Sequence, residues 1–238
     1  MIVIPMAGRS QRFRDAGYDQ PKFMLQLDGR SVFAHAVSSF ERYFADTPFL
    51  FITAGEGAAA FVDRSCDQLG LMQVQIVDLS APTGGQAETV VMGLDQAGVA
   101  AHVPLTIFNI DTFRPGYVAP GPWFEGLDGW LEVFRGEGAN WSYVKPAPGA
   151  ETLALGTAEK RPISDLCCTG LYHFARAGDF RAALAAERRD PQARELYVAP
   201  LYNHLIGSGA RVGYSLIPRS EVVFCGTPAE YEALRPSA

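Results

Sequence analysis

The apolar residues of this 238-residue chain fall into short blocks whose periods alternate. Ile2-Val3-Ile4 and Phe49 to Thr53 are continuous apolar runs of strand length, the pattern of strands buried on both faces. Between them Val32, Phe33, Ala36, Val37, Phe40 and Phe44 recur at helical spacing, and Ser31 is placed to cap their first turn. The spacing predicts a further helix over 58–69, a strand over 72–79, a helix beginning near Gln86 and a strand over 104–111. This βαβαβ rhythm predicts an α/β fold: a mixed, mostly parallel, Rossmann-like sheet with helices on both faces.

Past Asp111 the blocks shorten. Residues 113–138, rich in Pro, Gly and aromatics, read as a loop plus a short helix over 123–134. Strands are predicted over 140–146 and 152–158, joined by a Pro-Gly turn, and over 166–174. Amphipathic helices follow over 178–189 and 194–206, the second carrying Tyr197, Leu201, Tyr202 and Leu205 on one stripe. A strand over 211–217 precedes a last helix with Thr227 as N-cap and Pro228 at the first helical position. His35 and His204 read as structural. Trp123, Trp130 and Trp141 read as core or subunit-contact residues, which is compatible with a homo-oligomer.

Three stretches carry candidate chemistry. The turn Ala7-Gly8-Arg9-Ser10-Gln11-Arg12 leaves the first strand, and Pro21-Lys22 follows ten residues past Arg12. Free backbone N–H groups with guanidinium and ammonium charge suit an anionic ligand. A solvated turn fits this stretch equally well when it is taken alone. It matches neither the dinucleotide fingerprint nor the P-loop. The second stretch is Gly84-Gly85-Gln86 at a helix start, with Glu88 placed to complement the helix dipole. Two glycines let backbone lie flat against a ligand, and the Gln amide can pair with a nucleobase edge. An ordinary capped loop fits this stretch too. The third is Asp111 at the end of an apolar strand, where open α/β sheets bind ligands and where a carboxylate can hold Mg²⁺ against phosphate oxygens. A strand-end Asp on its own is more often a cap, and its place after the first two stretches favours the metal.

The formal net charge of −6 argues against nucleic acid as a partner. No apolar run has membrane-spanning length, and the N-terminus lacks the basic and long apolar regions of a secretory signal. Cys66, Cys167, Cys168 and Cys225 show no metal-type pairing and read as reduced core residues, so the expected location is cytoplasmic. Only three positive charges are lysines (Lys22, Lys145 and Lys160), so a compact ammonium is a choice at Pro21-Lys22 and Glu159-Lys160.

AGRSQRF followed by PK resembles the opening pattern of the sugar-phosphate nucleotidyltransferases, roughly G-x-G-x-R, about ten residues, then P-K. That resemblance implies a GT-A-like nucleotidyltransferase fold in one domain over 1–238. Its nucleotide-binding half is about 1–112 and its acceptor-binding half about 113–238. It implies that Arg12 and Lys22 are catalytic, holding the triphosphate with Lys22 at the α-phosphate, and that Ala7, Gly8, Arg9 and Ser10 bind nucleotide. Ser10 stands where the family has its second glycine. Gly84, Gly85 and Gln86 then hold the base, and Asp111 holds Mg²⁺. The E-K segment and the following T-G-x-Y strand also match the family, which implies that Lys160 contacts the acceptor phosphate and that Thr169 and Gly170 face the acceptor. Several relatives carry a second metal-binding Asp near Gly-Thr-Pro. Cys225 is there instead, which leaves Asp111 with substrate oxygens and water, or with Asp165. No hexapeptide repeats follow, so no β-helix extension is expected.

The implied partners are an NTP and a phosphorylated small molecule, either a sugar phosphate or a non-sugar phosphate used in capsule or surface-polysaccharide synthesis. Alternatives are a GT-A glycosyltransferase, for which Asn109-x-Asp111 stands in place of D-x-D, and a nucleotide-binding regulatory protein without turnover.

Overall fold

The computed structural model describes residues 1–80, 83–150 and 152–235. The chain opens with β1 (Ile2–Pro5), the short helix α1 (Gln11–Asp15) and a hairpin of β2 (Gln26–Leu27) and β3 (Arg30–Ser31). Helix α2 (Val32–Val37) leads to β4 (Phe49–Thr53), α3 (Ala58–Leu69), β5 (Val74–Asp78), α4 (Gln86–Gln96) and β6 (Leu105–Phe108). Then come β7 (Thr112–Phe113), β8 (Gly129–Arg135), β9 (Ser142–Pro146), β10 (Ala154–Glu159) and β11 (Leu166–Phe174). Helices α5 (Ala177–Arg189) and α6 (Leu201–Gly207), strands β12 (Val212–Ile217) and β13 (Val223–Phe224), and helix α7 (Pro228–Leu234) follow.

Nine strands form one mixed sheet in the order β10-β9-β11-β6-β1-β4-β5, with β8 bridging β11 and β12. The β6-β1-β4-β5 part is parallel, as crossovers through α3 and α4 require. The long strand β11 runs antiparallel to β6, β8 and β9 and so joins the two parts of the chain into one sheet. Alternation along β1 sends Val3 to one face and Ile2 and Ile4 to the other. On the Val3 face Leu50, Ile52 and Ile107 pack with Val90 of α4, Phe180 of α5 and Leu205 of α6. On the opposite face Phe49, Phe51 and Phe108 pack with Phe33 of α2 and Val62 of α3. Helices therefore cover both faces.

Several local expectations hold. The Ser31 hydroxyl accepts the Ala34 N–H at 3.1 Å, capping α2. Thr227 and Glu230 form a reciprocal capping box on α7. All four cysteines are buried free thiols. His35 meets the Leu27 carbonyl at 2.8 Å, and His204 lies 2.7 Å from the fully buried Glu187 carboxylate. No helix among the described residues is long and apolar enough to cross a membrane.

Two expected helices are corrected. The helix expected over 123–134 is a short 3-10 turn followed by β8, which pairs on both edges and is buried from Gly129 to Phe134. Glu132 of β8 is buried against Arg114. The helix expected over 194–206 begins only at Leu201, because Pro200 cannot sit in a helix interior and stands at its N-cap. Residues 190–200 form an irregular strap between α5 and α6.

Helix α4 approaches β4 so closely that a Cβ on Gly93 would lie 2.3 Å from Cδ1 of Ile52. Gly93→Ala is therefore expected to overpack this contact and destabilise the fold by about 2 kcal/mol. The measurement is a lower urea midpoint at unchanged slope.

His173 of β11 stacks on Trp130 and is held down to a pKa of about 4 by burial and by the nearby N-terminal ammonium. The unfolded chain then binds a proton between about pH 6.5 and 4 that the folded chain refuses. Stability from this group is complete above pH 6.5 and declines as pH falls toward 4, by up to about 3 kcal/mol. His173→Gln is expected to flatten that part of the urea-measured stability profile. An unchanged wild-type-minus-variant difference between pH 7 and 4.5 would refute it.

Candidate active site

The carboxyl end of β1 delivers Ala7 to Arg12 to the end of the parallel strands, the usual ligand position in such sheets. Ser10 adopts the left-handed region (φ 50°, ψ 35°), so the position that is glycine in the family pattern is indeed one that favours glycine. A serine there costs about 1 kcal/mol. In return its hydroxyl accepts the backbone N–H of Lys22 at 3.3 Å, tying the arginine loop to the Pro21-Lys22 turn. Arg9 and Arg12 are exposed. The Lys22 ammonium lies 2.5 Å from Asp111 Oδ2, joining two groups 89 residues apart.

Helix α4 starts at Gln86, where expected. Ala81 and Pro82, which open that motif, lie outside the described residues. Gly85 has φ 150°, and a Cβ there would stand 2.6 Å from the Leu196 carbonyl oxygen, so its glycine serves close backbone approach. Gln86 donates one amide N–H to Asn109 Oδ1 at 2.6 Å, leaving its second N–H and its carbonyl oxygen for a ligand. Glu88 accepts the Gly84 N–H at 2.5 Å and pairs with Arg188. Those contacts, the Gly84 bond first, hold its carboxyl below the ordinary range.

Asp111 lies three residues past the end of β6, and its carbonyl accepts the Cys225 N–H at 2.8 Å. Cys225 therefore positions Asp111 through its backbone. Its thiol is fully buried and pushed up to about 12 by burial. Gly226 presses on Asp111, since a Cβ there would lie 2.9 Å from Oδ2. Glu230 lines the same cleft, but its Oε2 is taken by the N–H groups of Gly226 and Thr227. Asp165, weighed as a second acid, is corrected: it is exposed, paired with Arg135, and absent from the cleft lining. Among the described residues no cluster of three or more metal-ligating side chains exists. Asp111 nevertheless fits a hard cation such as Mg²⁺, which needs only one or two carboxylates when substrate phosphates and waters complete its shell.

At the far side, Lys160 follows β10 in the left-handed region (φ 52°), a strained conformation for a residue other than glycine. Its ammonium donates to the Tyr197 hydroxyl at 2.6 Å and lies 4.0 Å from Glu159. Burial pulls the Lys160 ammonium down, but Tyr197, Glu159 and Glu195 outweigh it and the pKa is raised. Burial raises the Glu159 carboxyl despite a hydrogen bond from Ser142. Gly170 has φ 97° and packs against Asn109 so closely that a Cβ would lie 2.5 Å from Nδ2. Thr169 is turned away: its hydroxyl donates to buried Glu132 at 3.0 Å, so it does not present that group to an acceptor.

All of these parts face one cleft of about 890 Å³. Of the expected site residues, Ala7, Gly8, Arg9, Arg12, Lys22, Gly84, Gly85, Gln86, Asp111, Lys160, Thr169 and Gly170 line it, and Ser10 does not. Asn109, Trp141, Tyr197 and Glu230 line it as well and were not singled out as ligands in the sequence. Tyr197 had been assigned to a helix stripe, although Pro200 so soon after it argues against a continuous helix.

No family model and no curated protein matches the chain. Solved structures do. The crystal structure of the nucleoside-diphosphate-sugar pyrophosphorylase from Vibrio cholerae RC9 is 50% identical, with 98% of this chain and 99% of that one covered and a TM-score of 0.94. The fold is also that of the inositol-1-phosphate CTP transferase from T. maritima (14% identity, 98% and 94% covered, TM-score 0.75). It is shared too by a UDP-glucose pyrophosphorylase complexed with UDP-glucose (13% identity, 98% and 96% covered, TM-score 0.76). With half its residues identical over nearly the full length of the Vibrio cholerae protein, and with the P-K, Gly-Gly-Gln, Asp and E-K segments gathered in one cleft, the chain belongs to the sugar-phosphate nucleotidyltransferase family.

Proposed function

We propose that the protein transfers a nucleoside monophosphate from an NTP to a phosphorylated small molecule, releasing pyrophosphate, in the synthesis of a surface-polysaccharide precursor. One observation carries this reading: Arg12, Lys22, Asp111, Gln86 and Lys160, drawn from separate segments, converge on a single cleft. Residues of about 1–112 hold the nucleotide and those of about 113–238 the acceptor. Arg9 and Arg12 bind the outer phosphates, and the Ala7–Ser10 backbone offers N–H donors. Gln86 pairs with the base through the amide groups that Asn109 leaves free.

An acceptor phosphate oxygen attacks the α-phosphorus, forming the new P–O bond as the bond to pyrophosphate breaks. Both groups are already ionised phosphates, so no general base is required. The difficulty is bringing anions together, and positioning plus cationic stabilisation meets it. Lys22 neutralises charge at the α-phosphate and Lys160 orients the acceptor phosphate. Asp111 would hold Mg²⁺, which when bound would supply further positive charge to the phosphates. In the unliganded arrangement Lys22 occupies the Asp111 carboxylate. The incoming triphosphate offers Lys22 another anion and so releases Asp111.

The test is pyrophosphate release from ATP, CTP, GTP, UTP and dTTP, each with Mg²⁺ and a panel of sugar and non-sugar phosphates. Pyrophosphate formed with one acceptor supports the reading. Glycosyl transfer from an NDP-sugar, or nucleotide binding without product, replaces it.

A further inference from the structure

Residues 190–200 touch both ends of the cleft. The Leu196 N–H donates to the Gly84 carbonyl at 3.2 Å, and the Leu196 carbonyl accepts the Ala87 N–H at 2.8 Å. These two backbone bonds fasten the strap to the Gly84-Gly85-Gln86 loop. The fit leaves no slack, since a Cβ on Gly85 would lie 2.6 Å from the Leu196 oxygen and 2.7 Å from its nitrogen. One residue further on, the Tyr197 hydroxyl accepts from the Lys160 ammonium at 2.6 Å, and that ammonium also lies 4.6 Å from the centre of the Tyr197 ring. Lys160 is itself in a strained backbone conformation with its N–H donated to the Trp141 carbonyl at 2.9 Å, so its reach depends on what holds the side chain. The strap is anchored at its start, where the Gln192 N–H donates to Glu187 Oε1 at 2.7 Å, and Glu187 is fully buried.

We infer that the 190–200 strap couples the two substrate subsites, with Leu196 reading the position of the base loop through its backbone and Tyr197 setting the Lys160 ammonium. Tyr197 is then a positioning residue acting through Lys160. The inference rests on the assignment of Lys160 to the acceptor. It goes beyond that assignment by making the lysine's placement depend on a loop that it does not touch. An adjustment at Gly85 passes through a fixed main-chain pair to the adjacent residue, so no long pathway is needed.

Three lysines in the whole chain make this measurable without substrate. Lysine side chains labelled with ¹³C at Cε give three NMR signals, assigned with Lys145→Arg, whose residue is exposed and outside the cleft, and with Lys22→Arg. Tyr197→Phe is expected to lower the titration midpoint of Lys160, because the hydroxyl that raises it is gone. Gly85→Ala is expected to displace the Lys160 signal while leaving Lys145 in place. Gly126→Ala, whose Cβ would meet nothing within 4 Å at a position outside the cleft lining, is expected to leave Lys160 unmoved. In turnover, Tyr197→Phe raises KM for the acceptor about tenfold with KM for the NTP unchanged.

A Lys160 signal that coincides with wild type in folded Gly85→Ala, or an unshifted midpoint in Tyr197→Phe, overturns the coupling. Should Gly85→Ala fail to fold, hydrogen exchange on the wild-type protein with the Mg²⁺ complexes of ATP, CTP, GTP, UTP and dTTP decides. Protection gained by the base loop and the strap together, with any one of these nucleotides, supports the coupling, whereas gain in the base loop alone or in neither refutes it. The lysine signals report on the strap whether or not the protein turns over, so an inactive protein would refute the proposed reaction and leave the coupling to be judged on its own readout.

Discussion

Lys22→Ala is expected to lower kcat/KM by about 10³-fold with the fold retained, the loss typical of removing a preorganised charge from a developing oxyanion. The residue sits on a loop that faces the cleft, not in the core, and its side chain is 23% exposed. It pairs with Asp111, itself 21% exposed, and a partly buried pair on a cleft wall contributes on the order of 1 kcal/mol to stability. Activity and stability should therefore separate. A second consequence follows from the 2.5 Å contact between the two groups. With the ammonium gone, Asp111 is a free carboxylate, and Mg²⁺ should saturate the residual activity at a lower concentration than in the parent. Pyrophosphate release across a magnesium series, with thermal melts alongside, measures both. Activity within a few-fold of the parent would remove Lys22 from the mechanism. Lost activity with an equally large loss in Tm would reassign it to the fold.

Much of this arrangement was legible in the chain because the relevant signals are local. A strand of four apolar residues closed by a threonine can be read directly, and β4 and α3 begin and end where the pattern places them. The helix start at Gln86 and the Thr227 cap are equally local, each fixed by turn chemistry within a few residues. Apart from the helix expected over 194–206, which the local Pro200 already argues against, the misreadings share one physical cause: the deciding partner is distant in sequence. Residues 123–134 read as a helix until Arg114 arrives from another segment to pair with Glu132, and only then does Gly129–Arg135 make sense as a central strand. Tyr197 fits a helical stripe until its hydroxyl is seen on Lys160, 37 residues earlier. Thr169 fits the T-G-x-Y pattern, yet its hydroxyl is spent on Glu132 behind the cleft. Family pattern locates a residue on the right strand. Which way its polar atom points depends on the neighbours it must satisfy.

The same Glu132 gives the largest stability effect expected in the molecule. Its carboxylate accepts Nε of Arg114 at 2.8 Å, with side chains only 3% and 5% exposed. The guanidinium also donates to the Glu221 carbonyl at 2.8 Å, and the Arg114 N–H is held by the Ser39 hydroxyl at 2.8 Å. Glu132→Ala would leave the buried Arg114 charge facing only the half-exposed Glu221 carboxylate at 3.4 Å, with a cavity beside it. Breaking a buried pair in this way costs about 3–5 kcal/mol, far more than the pair's net worth against an apolar replacement. For a chain of this size that is a fall in Tm of about 10 °C. The double variant Glu132→Met with Arg114→Met removes both charges, and it should recover most of the loss, because the penalty lies in the orphaned charge. The damage also reaches the cleft in a graded way. Thr169 loses its acceptor, and the neighbouring Gly170, pressed on Asn109, carries the disturbance to the residue that orients Gln86. The single variant should therefore weaken nucleotide binding even well below its melting temperature, whereas Gly93→Ala, which strains the packing of α4 on β4, should not. A melt of Glu132→Ala within about 2 °C of the parent would show that Glu221, already 3.4 Å from the guanidinium, and water suffice to neutralise Arg114, and that the buried pair does not tie the sheet to the site.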